Sequence, residues 1–460
     1  MADSTVSFIL ITLSAILLRW CISLNPYSGA GKAPMFGDYE AQRHWMEITY
    51  NLPVKDWYEN TTQNDLLYWG LDYPPLTAYH SYLCGMVSNW LNPEWVALNR
   101  SRGYESYQHK LFMRYSVLLA DILIYFPALL MFFTANKTAS GNAAFAVLCA
   151  LIYPGLALID YGHFQYNSVS LGLTVWAVMS LSKGHDLLGS IAFCLALNYK
   201  QMELYHAMPF FCYLLGSTLR NKDEIRIFKL AKIGVVVLGT FAICWLPFLN
   251  NKESALQVLQ RLFPFGRGLY EDKVANVWCS VTVLVKLKQI LTVDSLIKLC
   301  FCSTLVGLIP SSINLLFIPS IQRFKLALIN SALVFFLFSF QVHEKSILIA
   351  ALPVCLSLPE HPLASIWFLL ISVSSMFPLL VKDQLVVPYF GSMLLFTIVT
   401  FLCLKPFETE TFRKNKSLEW SMFLCFVLSV SGAQIQNVLS LIVRPPPTLP
   451  DLFPVLISVY

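Results

Sequence analysis

Charge is what this sequence has least of. Only 13% of its 460 residues are Asp, Glu, Lys or Arg, roughly half of the ~25% typical of soluble domains. So few charges cannot coat a water-facing surface of that size. A soluble enzyme, a disordered chain and a coiled coil are excluded. No run of five like charges occurs and the net charge is only +5, so nucleic-acid binding lacks its electrostatic footprint. No CxxC pair with zinc spacing is present among the twelve cysteines. All but Cys84 and Cys279 lie in apolar runs, where the thiol behaves as a small hydrophobe. No DxD, P-loop, GxSxG or HExxH motif occurs. The N-terminus lacks the charged leader and small-residue cleavage site of a signal peptide. The run from about Val6 to Leu24 therefore reads as a retained first span.

Apolar residues, by contrast, are abundant: 56% of the chain, with a mean hydropathy of +0.59. At ~20 residues per crossing this fills roughly a dozen spans. The expected fold class is an all-α polytopic membrane protein with about 13 spans. They lie near 6–24, 114–134, 142–161, 168–182, 187–198, 203–217, 228–248, 295–318, 325–341, 346–358, 364–381, 386–404 and 418–440. Several are too short for a full crossing and must be broken, re-entrant or supported by neighbours. The chain stops at Tyr460, only about ten apolar residues into a further, truncated span.

Two polar inserts interrupt the pattern, at 25–113 and 249–294. Leu76–Leu91 in the first is apolar but short, which fits an interfacial helix. Val277–Leu291 in the second is a weaker case of the same kind, with Lys286 and Lys288 unsuited to a crossing. Basic residues fix the expected orientation. Opposite the first insert stand Lys137, Lys183, four residues between Arg220 and Lys229, Arg323, Lys325, and four between Lys405 and Lys416. On the insert side the short loops hold only Lys200, Lys345, Lys382 and Arg444. Both inserts and the polar clusters at His163, Lys200 and His343 should therefore share the non-cytosolic face. Sequons at Asn60 and Asn99 fall on that face, and those at Asn136 and Asn415 on the other.

Five clusters could carry chemistry. Gly37-Asp38-Tyr39-Glu40-Ala41-Gln42-Arg43-His44-Trp45 gathers carboxylates, a guanidinium and an imidazole. Asp38 suits a base for a sugar hydroxyl. It equally suits a helix N-cap, with Glu40 in the first turn, and the two roles are compatible. In Tyr68-Trp69-Gly70-Leu71-Asp72-Tyr73-Pro74-Pro75, the rings of Trp69 and Tyr73 can stack on sugars beside the acid Asp72. A Pro-terminated turn with aromatics at the headgroups is the alternative. Asp160–Asn167 offers His163, Gln165 and Asn167, or simply a water-exposed loop. Nearby, Lys200 either faces the same site or pairs with Glu203 along a helix. Gln341–Lys345 places His343 and Lys345 beside Glu344, a grouping suited to a phosphate, or to a snorkelling loop. Glu271-Asp272-Lys273 is a weaker acidic cluster.

The motifs YSGAGK, GDYEAQRHW, ITYNLPVKDWY, YWGLDYPPLTAYH, SRGYES, LIDYGHFQYNSVSLG, NYKQMELYHA, LFPFGRGLYEDKVANVWC and FSFQVHEKSIL follow one another along the chain. In this order they resemble the endoplasmic-reticulum dolichyl-phosphate-glucose-dependent glucosyltransferases. The resemblance is nearest the branch that adds the first glucose to Man9GlcNAc2-PP-dolichol. The sister branch, which adds the second, shares an HFQYN-like loop but departs from the GDYEAQRHW and WGLDYPPLT patterns.

The resemblance implies one transmembrane GT-C domain over residues 1–460, with 25–113 as a large first lumenal catalytic loop and 249–294 as a second. It implies glucose transfer from dolichyl phosphate glucose with inversion and formation of an α-1,3 linkage. Asp38 is then the general base, with Asp72, Glu271 and Glu344 as further acids. His343 and Lys345 are partners of the donor phosphate. His163, Gln165, Asn167, Arg43, Lys200, Trp69 and Tyr73 are further substrate-binding candidates. No cofactor and no metal are expected, because a departing lipid phosphate can be stabilised by nearby cations. The expected setting is the endoplasmic-reticulum membrane, with a monomer whose site faces the lumen. Members of the family usually end in a complete last span and often a lysine-rich tail, from which this chain departs. A transporter or flippase for a lipid-linked sugar fits the composition equally well. Polar motifs gathered on one face argue against it, because alternating access needs a mid-bilayer site.

Overall fold

The computed structural model describes residues 2–135, 143–220, 226–263, 274–408, 414 and 416–460. Among them every regular element is helical, and a helix occupies each of the thirteen apolar runs. Eight helical segments are long and apolar enough to cross a bilayer: Val6–Ser23, Tyr107–Ala135, Ala143–Phe164, Arg226–Phe248, Val293–Phe317, Ile321–Phe338, Val386–Leu404 and Lys416–Ile442. The other five runs form helices of 10 to 16 residues. At 1.5 Å per residue these reach about 15–24 Å, less than the ~30 Å hydrocarbon layer. The shortest, Ile347–Leu356, is buried along its whole length. Asn167–Ser182 is buried over most of its own. Neighbouring helices thus shield these two short elements from lipid.

One buried charge inside the spans is matched by an opposite one. Arg19 of α1 (Ala2–Ser23) is 1% exposed, and its Nε lies 2.6 Å from Asp121 Oδ2. The same oxygen accepts from Tyr161 Oη at 2.8 Å. An isolated buried charge would be costly, and this pairing compensates it. Asp121 opens a π-helical turn, Asp121–Tyr125, and Tyr161 lies in a second one, Ile159–Phe164. The pair therefore ties α1 to two further spans at their π-helical turns.

The first insert contains α2 (Asp38–Asn51) and α3 (Pro75–Leu91). α2 is polar and yet buried. Its Arg43 pairs with Glu40 at 2.6 Å and with Glu47 at 2.7 Å, and donates to Ser101 Oγ at 2.6 Å. Deleting one member of such a buried set costs about 3–5 kcal/mol, because its partner is left uncompensated. α3 begins at Pro75, where a missing N–H costs nothing. It packs closely on α2: a Cβ at Gly85 would lie 2.7 Å from the Met46 carbonyl oxygen. Its other side exposes Leu83, Val87, Trp90 and Leu91, the apolar surface an interfacial helix needs.

The second insert docks on the first. Phe248, Val258 and Leu262 share a core with Trp45, Trp57, Tyr58 and Leu71, and Arg261 Nη2 donates to the Gly70 carbonyl at 2.7 Å. The Val277–Leu291 run is not one helix. It divides into Val277–Leu284 and Leu287–Ile290, with the extended Val285 and then Lys286 between them. At the chain's end, Leu452–Val459 packs on Lys416–Ile442, and Tyr460 Oη donates to the Ser429 carbonyl at 2.7 Å. All twelve cysteines are free.

Candidate functional site

Asp38 is the first residue of α2, not its cap. The cap position belongs to Gly37, whose backbone is extended and which makes no side-chain cap bond. Ser28 serves the helix start instead. Its Oγ accepts from the Asp38 N–H at 3.3 Å, and its own N–H donates to the His163 carbonyl at 3.0 Å. A Cβ on Gly37 would sit 2.6 Å from Ser28 atoms, so glycine permits this clamp. The N-cap reading of the Asp38 side chain is thereby corrected: with Ser28 at the helix start, the carboxylate is drawn to other partners.

Three of those partners converge on Oδ2. Gln165 Nε2 donates at 2.5 Å, Lys345 Nζ at 2.6 Å, and His163 Nε2 lies at 3.0 Å. Oδ1 has no hydrogen-bond partner among the described residues. Burial pushes the carboxyl pKa up, but the charges and hydrogen bonds of Lys345 and His163 outweigh it and hold Asp38 well below the usual carboxylate range. Lys345 is the reciprocal case: burial opposes its charge, and Asp38 raises its pKa above the ordinary lysine value.

His163 and Gln165 flank Phe164, which ends the π-helical turn with φ +92°. That conformation is strained for an aromatic residue. Edge contacts with Tyr39 at 5.0 Å and Tyr166 at 5.6 Å hold the ring. Buried Asp160 completes the loop by accepting from the Asn167 and Ser168 N–H groups and from Asn167 Nδ2. The stretch is therefore buried and internally bonded, which corrects the water-exposed-loop alternative. Lys200 Nζ donates to Gln165 Oε1 at 3.3 Å and also to Asn167 Oδ1. Burial, and then the like charge of Lys345, lowers its pKa to about 8. The helical pair with Glu203 does not form, since Glu203 bonds to Thr174 and His206. Gln42, Tyr73, Thr77, Gln165, Tyr166 and Lys200 line a small cavity here, and the Lys200 ammonium lies 5.3 Å from the Tyr73 ring centroid.

Asp38, His163, Gln165, Asn167, Lys200, Lys345 and Tyr73 are thus brought together. The remaining candidates sit elsewhere. Asp72 lies beside Tyr58 and Tyr73, where its charge adds to burial in raising both phenols. Glu344 opens a short 3-10 turn, Glu344–Ser346, next to Lys345, and His343 before it is exposed. Trp69 ties the insert together, donating from Nε1 to the Met35 carbonyl at 2.5 Å. Arg43 commits its donors to Glu40, Glu47, Ser101 and the Trp95 carbonyl, and so belongs to the interior of the insert. Glu271 lies outside the described residues.

Sequence reasoning missed Asp383. Its Oδ2 is 2.5 Å from His163 Nδ1, and its side chain is 5% exposed. The available signal was an acid between two apolar runs, beside Lys382, on the face already assigned to the other clusters. Among the described residues, no group of three or more His, Cys, Asp and Glu side chains is placed to hold a metal ion.

Known proteins match this chain nearly end to end. The pattern of the ALG6, ALG8 glycosyltransferase family covers residues 15–460. Dolichyl pyrophosphate Man9GlcNAc2 alpha-1,3-glucosyltransferase of Gallus gallus is 53% identical, over 97% of this chain and 92% of its own. Its namesake in Mus musculus is 54% identical over the same shares. The probable enzyme of that name in Arabidopsis thaliana is 45% identical, over 99% of this chain and 87% of its own. On this extent of similarity, joined to an all-helical GT-C architecture with several membrane-length helices, the chain belongs to the ALG6, ALG8 glycosyltransferase family.

Proposed function

We propose that this protein transfers glucose from dolichyl phosphate glucose to Man9GlcNAc2-PP-dolichol, forming an α-1,3 linkage with inversion, at the lumenal face of the endoplasmic-reticulum membrane. The acceptor and linkage follow the names of the relatives. The observation that carries the chemistry is the Asp38 carboxylate, held ionised with one oxygen saturated and the other without a partner among the described residues. In the transfer step the acceptor hydroxyl oxygen bonds to C1 of glucose and the C1–O bond to phosphate breaks. The bonding pair leaves with dolichyl phosphate, and the hydroxyl proton passes to Asp38 Oδ1. A positioned proton acceptor contributes about 10²–10⁴-fold. Lys345 has two uses: it balances Asp38 in the free site, and its ammonium can turn to the leaving phosphate. Lys200 adds a second cationic group for the same charge.

The test is transfer by purified protein from dolichyl phosphate glucose, with eight-mannose, nine-mannose and singly glucosylated lipid-linked acceptors. The nine-mannose acceptor should be used and an α-1,3 product formed. Preference for the singly glucosylated acceptor would assign the sister reaction, and lipid movement without transfer would assign a transporter. The cations around the site also lead us to expect a metal-independent reaction: EDTA should leave the rate unchanged, and its complete loss would overturn that part.

A further inference from the structure

Asp383 occupies the turn between the helices Phe377–Lys382 and Val386–Leu404, 220 residues from the histidine it touches. The turn is built against the site. Leu385 is fully buried and lies so close to Gly162 that a Cβ there would be 2.6 Å from its Cδ1. Lys32 Nζ donates to the Lys382 carbonyl at 2.9 Å, binding the turn to the first insert. The carboxylate itself is 5% exposed and directed at His163 Nδ1.

We propose that Asp383 is a positioning residue for the transfer: it fixes the ring orientation and tautomer of His163, so that Nε2 faces Asp38. This rests on the reading of Asp38 as the base. An ionised carboxylate can only accept a hydrogen bond, so Asp383 requires the proton on His163 Nδ1. Nε2 is then the nitrogen that meets Asp38 Oδ2 at 3.0 Å and Lys345 Nζ at 3.1 Å. A neutral ring accepts there from Lys345, and a protonated ring donates to Asp38. Either state keeps Oδ2 engaged and leaves Oδ1 to receive the acceptor's proton. When Lys345 turns towards a phosphate, Gln165 and His163 remain on Asp38. The charged and titratable groups around this ring are Asp38, Lys345 and Asp383. Arg114 contributes from the Tyr107–Ala135 segment, where its Nη2 donates to the Gly162 carbonyl at 2.9 Å and its charge acts on Asp383. Glu344 acts through Lys345.

The experiment compares full-length wild type, Asp383→Asn, Asp383→Glu and Asp38→Asn in lipid nanodiscs, with rates expressed per folded, monodisperse protein. Asp383→Asn should lower kcat about ten- to hundredfold, a part of what a positioned proton acceptor supplies, with both KM values within about twofold. Asp383→Glu, which keeps the acceptor, should recover part of kcat. A kcat per folded Asp383→Asn within about twofold of wild type, or no gain from glutamate, would overturn the proposal. In those cases Asp38→Asn remains inactive, so the base assignment stands apart. Transfer by Asp38→Asn would sink the underlying reading and this inference with it.

Discussion

Asp38 illustrates how a carboxylate can be both restrained and available. Gln165 and Lys345 donate to Oδ2 with His163 Nε2 beside it, and Oδ1 is without a partner among the described residues. Lys200 has the opposite electrostatic situation, its charge disfavoured by burial and by Lys345, with a pKa near 8. A lowered lysine pKa means that the ammonium is lost as pH rises through 8, whereas an ordinary lysine holds its proton to about 10.4. If this ammonium meets the donor phosphate, kcat/KM should fall on an alkaline limb near pH 8. Lys200→Arg, which stays charged, should move that limb upward, and an identical limb in both proteins would remove Lys200 from the donor site. The residues that gather at Asp38 were legible because each is a polar group in an apolar setting. Asp383 was not, since no motif surrounds it and only folding brings it to His163. Arg43 was misread although its signal was present. Its spacing of three from Glu40 and four from Glu47 places all three on one helical face, where they satisfy one another.

The start of α2 makes the site depend on a close approach. Ser28 bonds to the backbone of both Asp38 and His163, and Gly37 leaves room for it. Gly37→Ala should force the two segments apart without removing any catalytic group. A misplacement of ~1 Å can cost about 10²-fold in rate, so kcat should fall on that order while the protein still purifies folded. Wild-type kcat in Gly37→Ala would show that the clamp is irrelevant to transfer. Helix positions were readable from apolar runs throughout. The two π-helical turns were not, because one extra residue in a turn leaves the apolar pattern almost unchanged. The positive φ of Phe164 was equally hidden, since it depends on packing against Tyr39 and Tyr166.

Across the molecule, residues from sequence positions 38, 163, 165, 200, 345 and 383 meet at one end of the helices, and the two inserts pack as one body above them. The count of basic loop residues had already grouped most of these segments on one side. It could not specify which short helices would be enclosed by others, because that depends on neighbour contacts. On the same count we propose that this side is lumenal. An Asn60→Cys variant, changed at an exposed position of the first insert, should react with an impermeant maleimide only after sealed endoplasmic-reticulum vesicles are opened, relative to the parent protein. Equal labelling in sealed vesicles would place the insert in the cytosol and overturn the orientation.

The central claim, that Asp38 receives the acceptor's proton, is tested most directly by the single-turnover rate of glucose transfer in Asp38→Asn with both lipid substrates saturating. The amide keeps the shape but is a far weaker proton acceptor, so the rate should fall by about 10²–10⁴-fold with donor binding preserved. A rate within about threefold of wild type would contradict the account.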